Sequence, residues 1–375
     1  MSKWKQIGLG DTATFFNGYA FKPTDWSTSG KEIIRIQNLT KGSSQINYFE
    51  GEIPEKYKVR KGDILISWSG SLGVYEWKGK DSWLNQHLFK VVFDKEDLDK
   101  SFFTYLISNS LKKLETQVHG ATMKHITKKK FDAFPVALPP LDQQKKIAAI
   151  LDAADAYRQK TKALIEKYDE LTQSLFLDMF GDPVRNPKGF ERGLIEDLIK
   201  IQGGSQPPKK LFKSEPEEGY VRLVQIRDYK TDRYLTYLPK DSTRKFCTEK
   251  DIMIGRYGPP VFQILRGIAG AYNVALMKAL PLDGMDSEYI FHLLSCSYIQ
   301  NIVIGNSQRT AGQTGVNLKL LNSIEISKPP IVLQNQFAER VQAIEAQKAL
   351  AQASLAQAED LFNSLLQRAF KGELK

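Results

Sequence analysis

In this chain of 375 residues, the polar side chains best able to do chemistry sit on short loops. The loop VHGATMKHITKKK carries Gly120, Thr122, Lys124, His125, Thr127 and Lys128. A second loop, SQRTAGQTGVNLK, carries Arg309, Thr310, Gln313, Thr314 and Asn317. Further sets follow apolar, β-rich runs: Arg35, Gln37 and Asn38 with Ser67 and Ser69, then Gln225, Arg227, Arg256 and Tyr257. Arg, Lys, Asn, Gln, Ser and Thr on exposed loops are the residues that hydrogen-bond base edges, and the cationic ones also neutralise phosphates. Each has a plainer role beside that one. Lys128, Lys129 and Lys130 suit phosphate contact or solvated charge. Gln37 and Gln225 suit strand-end caps, and Trp68 lies in an apolar run that suits a core aromatic. Asp63 and Asp251 each precede a strand and suit turn carboxylates that accept backbone amides.

The familiar catalytic motifs are missing. The sequence holds no GxxxxGK[ST] phosphate loop. Its double prolines, in ALPPLD, SQPPKK, GPPVF and SKPPIV, lack the [NDS]PP[YF] pattern of an amino-methyltransferase. GLGDTA at 8–13 lacks the third glycine of a dinucleotide fingerprint and suits a turn. His87, His119, His125 and His292 show no HxxxH or HExxH spacing, so no metal site is expected. Asp152 and Asp155 suit a solvated helix surface, and the NLT sequon at 38–40 has no secretory context. Cys247 and Cys296 make no CxxC pair and are expected to be reduced core thiols. A mean hydropathy of −0.36 and no long apolar run argue against a membrane span. MSKWKQIGLGD carries no apolar signal segment, so a cytoplasmic protein is expected. The formal charge of +10 favours a polyanionic partner. These features describe a binding protein with no catalytic residues and no cofactor of its own.

The loops must be held by something, and two long helices with a fixed spacing provide it. From Pro139 to Phe180 apolar or small residues recur every seven positions: Ile147, Ala154, Thr161, Tyr168 and Leu175. Ile150, Tyr157, Leu164, Leu171 and Asp178 are expected as the alternate seam, widened by Leu151 and Ile165. From Pro329 to Phe370 the seam is Phe337, Ile344, Ala351, Ala358 and Leu365, with Val341, Leu355, Leu361 and Phe362 beside it. The offset between the helices is 190 residues throughout. Ahead of each helix the repeat continues at an offset of 188: KGDILISWSG against EKDIMIGRYG, LNQHLFK against YNVALMK, and IIRIQNL against VRLVQIR with Gln37 set on Gln225. Strands are expected at Ile33–Ile36, Ile64–Trp68 and Leu88–Phe93, and at Tyr220–Val224, Ile252–Tyr257 and Val274–Leu280. Ser101–Leu114 and Ser287–Ile302 are expected as helices. GDPVRNPKGF at 181–190 holds two prolines and several helix breakers and is expected to link the halves.

Two α+β modules alternating with two equal helices, entered through LPPLDQQKKIAAIL and left through LFLDMFGDPVRNPKG, resemble the specificity subunit of type I restriction–modification systems. The likeness covers essentially the whole chain. At the second entry, PPIVLQNQFA keeps Pro329, Pro330 and Gln334 but has Val332 and Leu333 where the first has Asp142 and Gln143. The resemblance implies two homologous mixed α/β target-recognition domains separated by two long antiparallel coiled-coil helices, an internal duplication with pseudo-twofold symmetry. Each domain would read one half of a split double-stranded DNA site. The helices would dock two DNA adenine methyltransferase subunits, which supply S-adenosylmethionine and flip out the adenine. Restriction/translocase subunits would supply ATP- and Mg-dependent motor action.

The expected layout is therefore a first recognition domain at 1–138, the first helix at 139–180, a linker at 181–190, a second recognition domain at 191–328, and the second helix and tail at 329–375. The two modules carry different loop chemistry, SWSGSLGVYEW against GRYGPPVFQILRG, which suits an asymmetric target. Two rivals stand beside this reading. One is a coiled-coil scaffold that binds only protein, and the other is a self-contained DNA-modifying enzyme with an unrecognised site.

Overall fold

The computed structural model describes residues 4–40, 45–116, 126–258, 260–307, 309–310 and 313–374, with backbone alone at 309, 310, 313 and 314. It divides into two compact units, Met1–Lys162 with Ala353–Lys375, and Ala163–Gln352. Each unit thus takes one recognition module and half of each long helix, a different cut from one made at the helix ends.

The two units repeat one plan. In the first, Thr14–Asn17, Leu88–Val92, Ile64–Ser67 and Gly73–Glu76 form an antiparallel sheet in that order. A second sheet runs Asn47–Phe49, Lys31–Ile34, Ser82–Leu84 and Lys58–Val59, with its central pair parallel. Lys5–Gly8 pairs with Pro135–Leu138 just before the long helix. In the second unit Ile199–Gly203, Leu276–Pro281, Ile252–Gly255 and Ile264–Leu265 repeat the first sheet. Tyr237–Pro239, Tyr220–Val224, Gly270–Tyr272 and Phe246–Cys247 repeat the second, and Glu191–Leu194 with Glu325–Lys328 the third.

Side chains at matching places do matching work. Val59, Leu65, Leu84 and Leu88 are buried where Cys247, Met253, Tyr272 and Leu276 are buried in the other unit. Cys247 is thus a core residue, its thiol pushed up to about 11 by burial. Asp63 accepts the Arg60 amide at 2.8 Å, and Asp251 accepts the Thr248 amide at 2.6 Å. Gly18 and Gly204 lie so close to a crossing strand that a Cβ would sit 2.0 Å from the carbonyl oxygen of Asn85 or Asn273. Only a residue without a side chain fits there.

The sheet register corrects one alignment. Ile34 lies opposite Leu84 and Val224 opposite Tyr272, so in this strand the offset is 190. Gln225 therefore corresponds to Arg35, and Arg227 to Gln37. The shared glutamine letter was misleading, because hydrogen-bond register and not residue identity places the turn. A second correction concerns Ser287–Ile302. It is two helices, Ser287–Ser295 and Ser297–Gly305, broken at Cys296, which is extended (φ −67, ψ 146). Gln300 stitches the break by donating to the Leu294 carbonyl at 2.9 Å.

The long helices are Leu141–Phe180 and Ile331–Phe370, 40 residues each and roughly 60 Å long at 1.5 Å per residue. Their starts explain the double-proline motif. Gln144 is buried, accepts the Asp99 amide at 2.9 Å, and donates to the carbonyls of Asp97 and Pro139 at 3.0 and 2.9 Å. Gln334 accepts the Asp286 amide at 2.8 Å and donates to the Pro329 carbonyl at 2.8 Å. Asp99 and Asp286 in turn cap the preceding module helices through the amides of Phe102 and of Glu288 and Tyr289. One glutamine thus ties each long helix to its module. Gly181 (φ 72) and Gly372 (φ 77) end the two helices in the left-handed conformation. The expected linker is not slack, since the Asn186 side chain clasps both backbone groups of Phe190 and Pro183 accepts the Ser327 amide at 2.7 Å.

Half of the expected seam faces inward. Ile147, Leu151, Phe337 and Val341 are buried, and Tyr168, Leu175, Ile344, Leu355 and Leu365 are half-buried. The alternate row is wrong. Ile150, Tyr157, Leu164 and Leu171 are 37, 53, 42 and 50% exposed, as is Leu361 at 54%. The inward row one residue along is Leu151, Arg158, Ile165 and Thr172. Its polar members hid it. The Arg158 guanidinium packs 4.3 Å over the Phe362 ring, and Thr172 returns its hydroxyl to the Tyr168 carbonyl.

Gln334→Leu should leave the Asp286 amide and the Pro329 carbonyl unpaired in the core. It should cost about 1–3 kcal/mol for each group, read as a lower denaturant midpoint at unchanged slope. Burial opposes ionisation of Glu288, but His292 and Arg266 hold its carboxyl down to about 2 from an ordinary 4.5. A depressed carboxyl stabilises the fold fully above its unfolded pKa and loses that contribution as pH falls through the folded one. Glu288→Gln should therefore remove an acid-labile part of the second unit's stability between pH 4.5 and about 2 in acid titrations.

Candidate nucleic-acid interface

In the second unit three loops meet. The strand Ile252–Gly255 runs out into Arg256 and Tyr257. There the Arg256 carbonyl accepts the Val316 amide at 3.0 Å, and Tyr257 bridges Gly315. A Cβ on Gly315 would sit 3.2 Å from the Tyr257 ring, a tight contact. A Cβ on Gly255 would meet the Ile226 side chain at 3.5 Å, which places the turn Ile226–Tyr229 alongside. Arg256 and Tyr257 thus meet the segment that follows the ribbon Arg309–Thr310 with Gln313–Thr314, and the turn that carries Arg227 begins beside Gly255. The first unit repeats the joint, the Trp68 carbonyl accepting the Ile126 amide at 3.0 Å. Thr122, Lys124 and His125 of the adjoining loop, with Gly120, lie outside the described residues.

The candidate residues sort by what holds them. Ser67 is fully buried and its hydroxyl donates to the Ser71 carbonyl, so it shapes the loop and is not presented to a ligand. Asn38 accepts the Arg35 amide and donates to the Gln45 carbonyl, both at 3.0 Å, which ties up its amide in the turn. Asn317 accepts the Leu320 amide at 3.2 Å as the cap of helix Leu318–Asn322. Thr127 does the same for Lys128–Asp132. Lys128 pairs with Asp132 at 2.7 Å along its own helix. Gln37 donates to Gln45 at 3.4 Å, and Gln225 to Thr236 at 3.2 Å. Arg35 donates to Asn47 at 3.0 Å and lies 5.1 Å from the Trp26 ring. Ser69 comes within 3.5 Å of His87 Nδ1.

Two groups escaped the sequence. In the first unit exposed His87, with Gln86, sits beside Trp68 at 5.9 Å between rings. The tripeptide NQH served only to align the repeats, yet Val274 and Ala275 stand there in the second unit. In the second unit Tyr234, 51% exposed, carries Arg227 and Arg233 at 5.7 and 5.3 Å. An exposed tyrosine flanked by two guanidiniums has the chemistry that suits phosphate contact and stacking. Its signal was the TDRYLTY run, which has no apolar period to give it a place. Asp228 beneath is buried, and burial pushes its carboxyl up despite the Arg222 and Arg227 guanidiniums.

The arrangement presents cations, amides and an aromatic ring on two homologous frameworks. A family model described as the type I restriction modification DNA specificity domain matches residues 1–168 and again 187–360. The chain belongs to that family and is a type I restriction–modification specificity subunit. It recognises DNA sequence and assembles with the other subunits, and it is non-catalytic. The chain is 26% identical to the type I restriction enzyme EcoBI specificity subunit of Escherichia coli, over 99% of this chain and 86% of that protein. It is 24% identical to the MjaVIII specificity subunit of Methanocaldococcus jannaschii, over 76% of this chain and 73% of that one. In fold it is similar to the S subunit of a type I system from M. genitalium (TM-score 0.56, 15% identity, 98% of this chain and 96% of that one). It is also similar to a chain from a structural study of type I complex assembly and conformational transition (TM-score 0.60, 16% identity, 100% and 99%). Among the described residues no helix is long and apolar enough to cross a membrane.

Arg256→Ala should cost about 1–3 kcal/mol of DNA binding and relax preference at one base pair, whereas Arg227→Ala should weaken all sequences alike and reduce the salt slope by about one. Ser67→Ala should leave sequence preference unchanged. Anisotropy titrations of the assembled complex across salt concentrations check all three.

Proposed function

We propose that the two modules read the two halves of one split, asymmetric double-stranded DNA target, and that the long helices set the distance between the half-sites. One observation supports this most. The same joint is built twice with different chemistry: Trp68, Ser69 and His87 in one unit, and Arg256, Tyr257 and Ala275 in the other. A symmetric target would be served by two equal readers. The exposed row Ile150, Tyr157, Leu164 and Leu171 is the surface expected to take two DNA adenine methyltransferase subunits. Apolar side chains repeated along a helix in contact with water are stabilised by a partner. S-adenosylmethionine then belongs to those subunits, ATP and Mg to restriction/translocase subunits, and the complex works on cytoplasmic DNA.

The length of the helices gives the test. Seven residues inserted after Tyr157 and seven after Gln347 keep the seam and add ~10 Å to each helix. At ~3.4 Å per base pair that is about three extra base pairs between the half-sites. Genome-wide mapping of methylated adenines should show the half-site bases unchanged and the gap longer. An unchanged gap with retained methylation would overturn the spacing role, and altered half-site bases would show that the helices take part in reading.

A further inference from the structure

In each unit the joint sets a strand end against a tight turn, and the frame of that turn is the same in both. Asn85 and Asn273 open it, their carbonyls accepting the amides of Leu88 and Leu276 at 3.1 and 3.0 Å. Their side-chain oxygens accept the amide two residues on, that of His87 at 3.4 Å and that of Ala275 at 3.1 Å. What the turn carries differs: Gln86 and His87 in the first unit, Val274 and Ala275 in the second. Ala275 shows that the turn closes with no more than a methyl group at this place. The imidazole of His87 is therefore surplus to the fold, and it is exposed. It is also held loosely. Nδ1 lies 3.5 Å from the Ser69 hydroxyl and Nε2 lies 3.4 Å from the Gln86 amide nitrogen, both beyond the usual hydrogen-bond length.

The strand end opposite shows the reverse trade. In the second unit it carries Arg256, whose amide donates to the Ala275 carbonyl at 2.8 Å and whose guanidinium lies 5.1 Å from the Tyr257 ring. In the first unit the same place is Trp68, and its ring stacks on the buried Phe89 ring at 5.6 Å and 22°. An indole laid on the core offers neither a cation nor an amide to a base edge. His87 stands 5.9 Å from that indole, so the polar group of the joint has moved from the strand end to the turn. The buried Ser69 hydroxyl on the Nδ1 side leaves Nε2 and the neighbouring Gln86 amide as the groups toward solvent. We propose that His87, with the Gln86 amide beside it, makes in the first module the base-edge contact that Arg256 makes in the second. Ring nitrogens and an amide match the donors and acceptors that a base pair displays in the major groove. This rests on the reading above, in which each module serves one half-site.

His87→Ala and Gln86→Val each install a residue that the matching turn of the second unit already carries, so the turn can close in both variants. Methylated adenines are mapped genome-wide in cells carrying the assembled complex, and anisotropy titrations on single-base variants of the mapped target measure discrimination. His87→Ala should lower discrimination about tenfold or more at one base pair of one half-site, with the other half-site read as before. Gln86→Val should relax the same base pair or its neighbour, and Arg256→Ala should relax the other half-site. The assignment of His87 is overturned if both turn variants keep every base preference. It is overturned equally if they weaken all sequences alike, as the loss of a phosphate contact does. In either case an Arg256→Ala effect confined to one half-site would leave the split-target reading standing. If His87→Ala and Arg256→Ala relax the same half-site, the reading of one half by each module falls with the assignment.

Discussion

A buried glutamine at the first turn of each long helix is the constraint on which the rest of the structure hangs. Gln144 and Gln334 each hold the amide of the residue that caps the module's own helix, and the carbonyl of the first proline of the pair. Buried amides must find partners, so these bonds leave little freedom in how a module meets its helix. The prolines add to this, because each fixes its own φ and neither can donate an amide that would compete. A recognition surface is useful only if its bearing is fixed, and here a buried glutamine in each module adds directed bonds to the shared hydrophobic core that joins module and helix.

The duplicated framework and the divergent loops obey different rules. Where strands cross closely, both halves keep the same residue types: Gly18 and Gly204 for backbone contact, Asp63 and Asp251 for the turn. These positions answer to backbone geometry, which does not change with the DNA sequence read. At the strand ends no such backbone demand holds the residue type, and the residues differ. Ser69 and His87 stand where the other unit has Tyr257 and Ala275. The long helices show the same division. Their inward rows match in burial at most positions, but the first unit has Phe362 where the second has Thr172.

Several side chains that suit base recognition in type and loop position turn out to be spent on the fold. Ser67, Asn38, Thr127 and Asn317 each satisfy a backbone group in a turn or a helix start. Serine, threonine and asparagine are favoured in such places for the same reason that they suit base edges: a short side chain carrying a donor or acceptor near the backbone. Chemistry alone therefore does not separate the two uses. Arg227 and Arg256 differ because a guanidinium has more donors than the turn can absorb.

What the sequence determined by itself was periodicity and repetition: two equal helices, two equal modules and no recognisable catalytic motif. These are properties of spacing, and spacing is written in the chain. Burial of one helix row against another was not, because Arg158 and Thr172 are polar residues that pack inward while Tyr157 and Leu164 are apolar residues that face water. Nor was the register that pairs Gln225 with Arg35, since hydrogen bonds between distant strands decide it. The Tyr234 cluster with Arg227 and Arg233, and His87 beside Trp68 and Ser69, also exist only once the chain is folded. Side chains close in sequence can be matched by eye, but which of them share a surface is settled by strands and turns that meet from far apart.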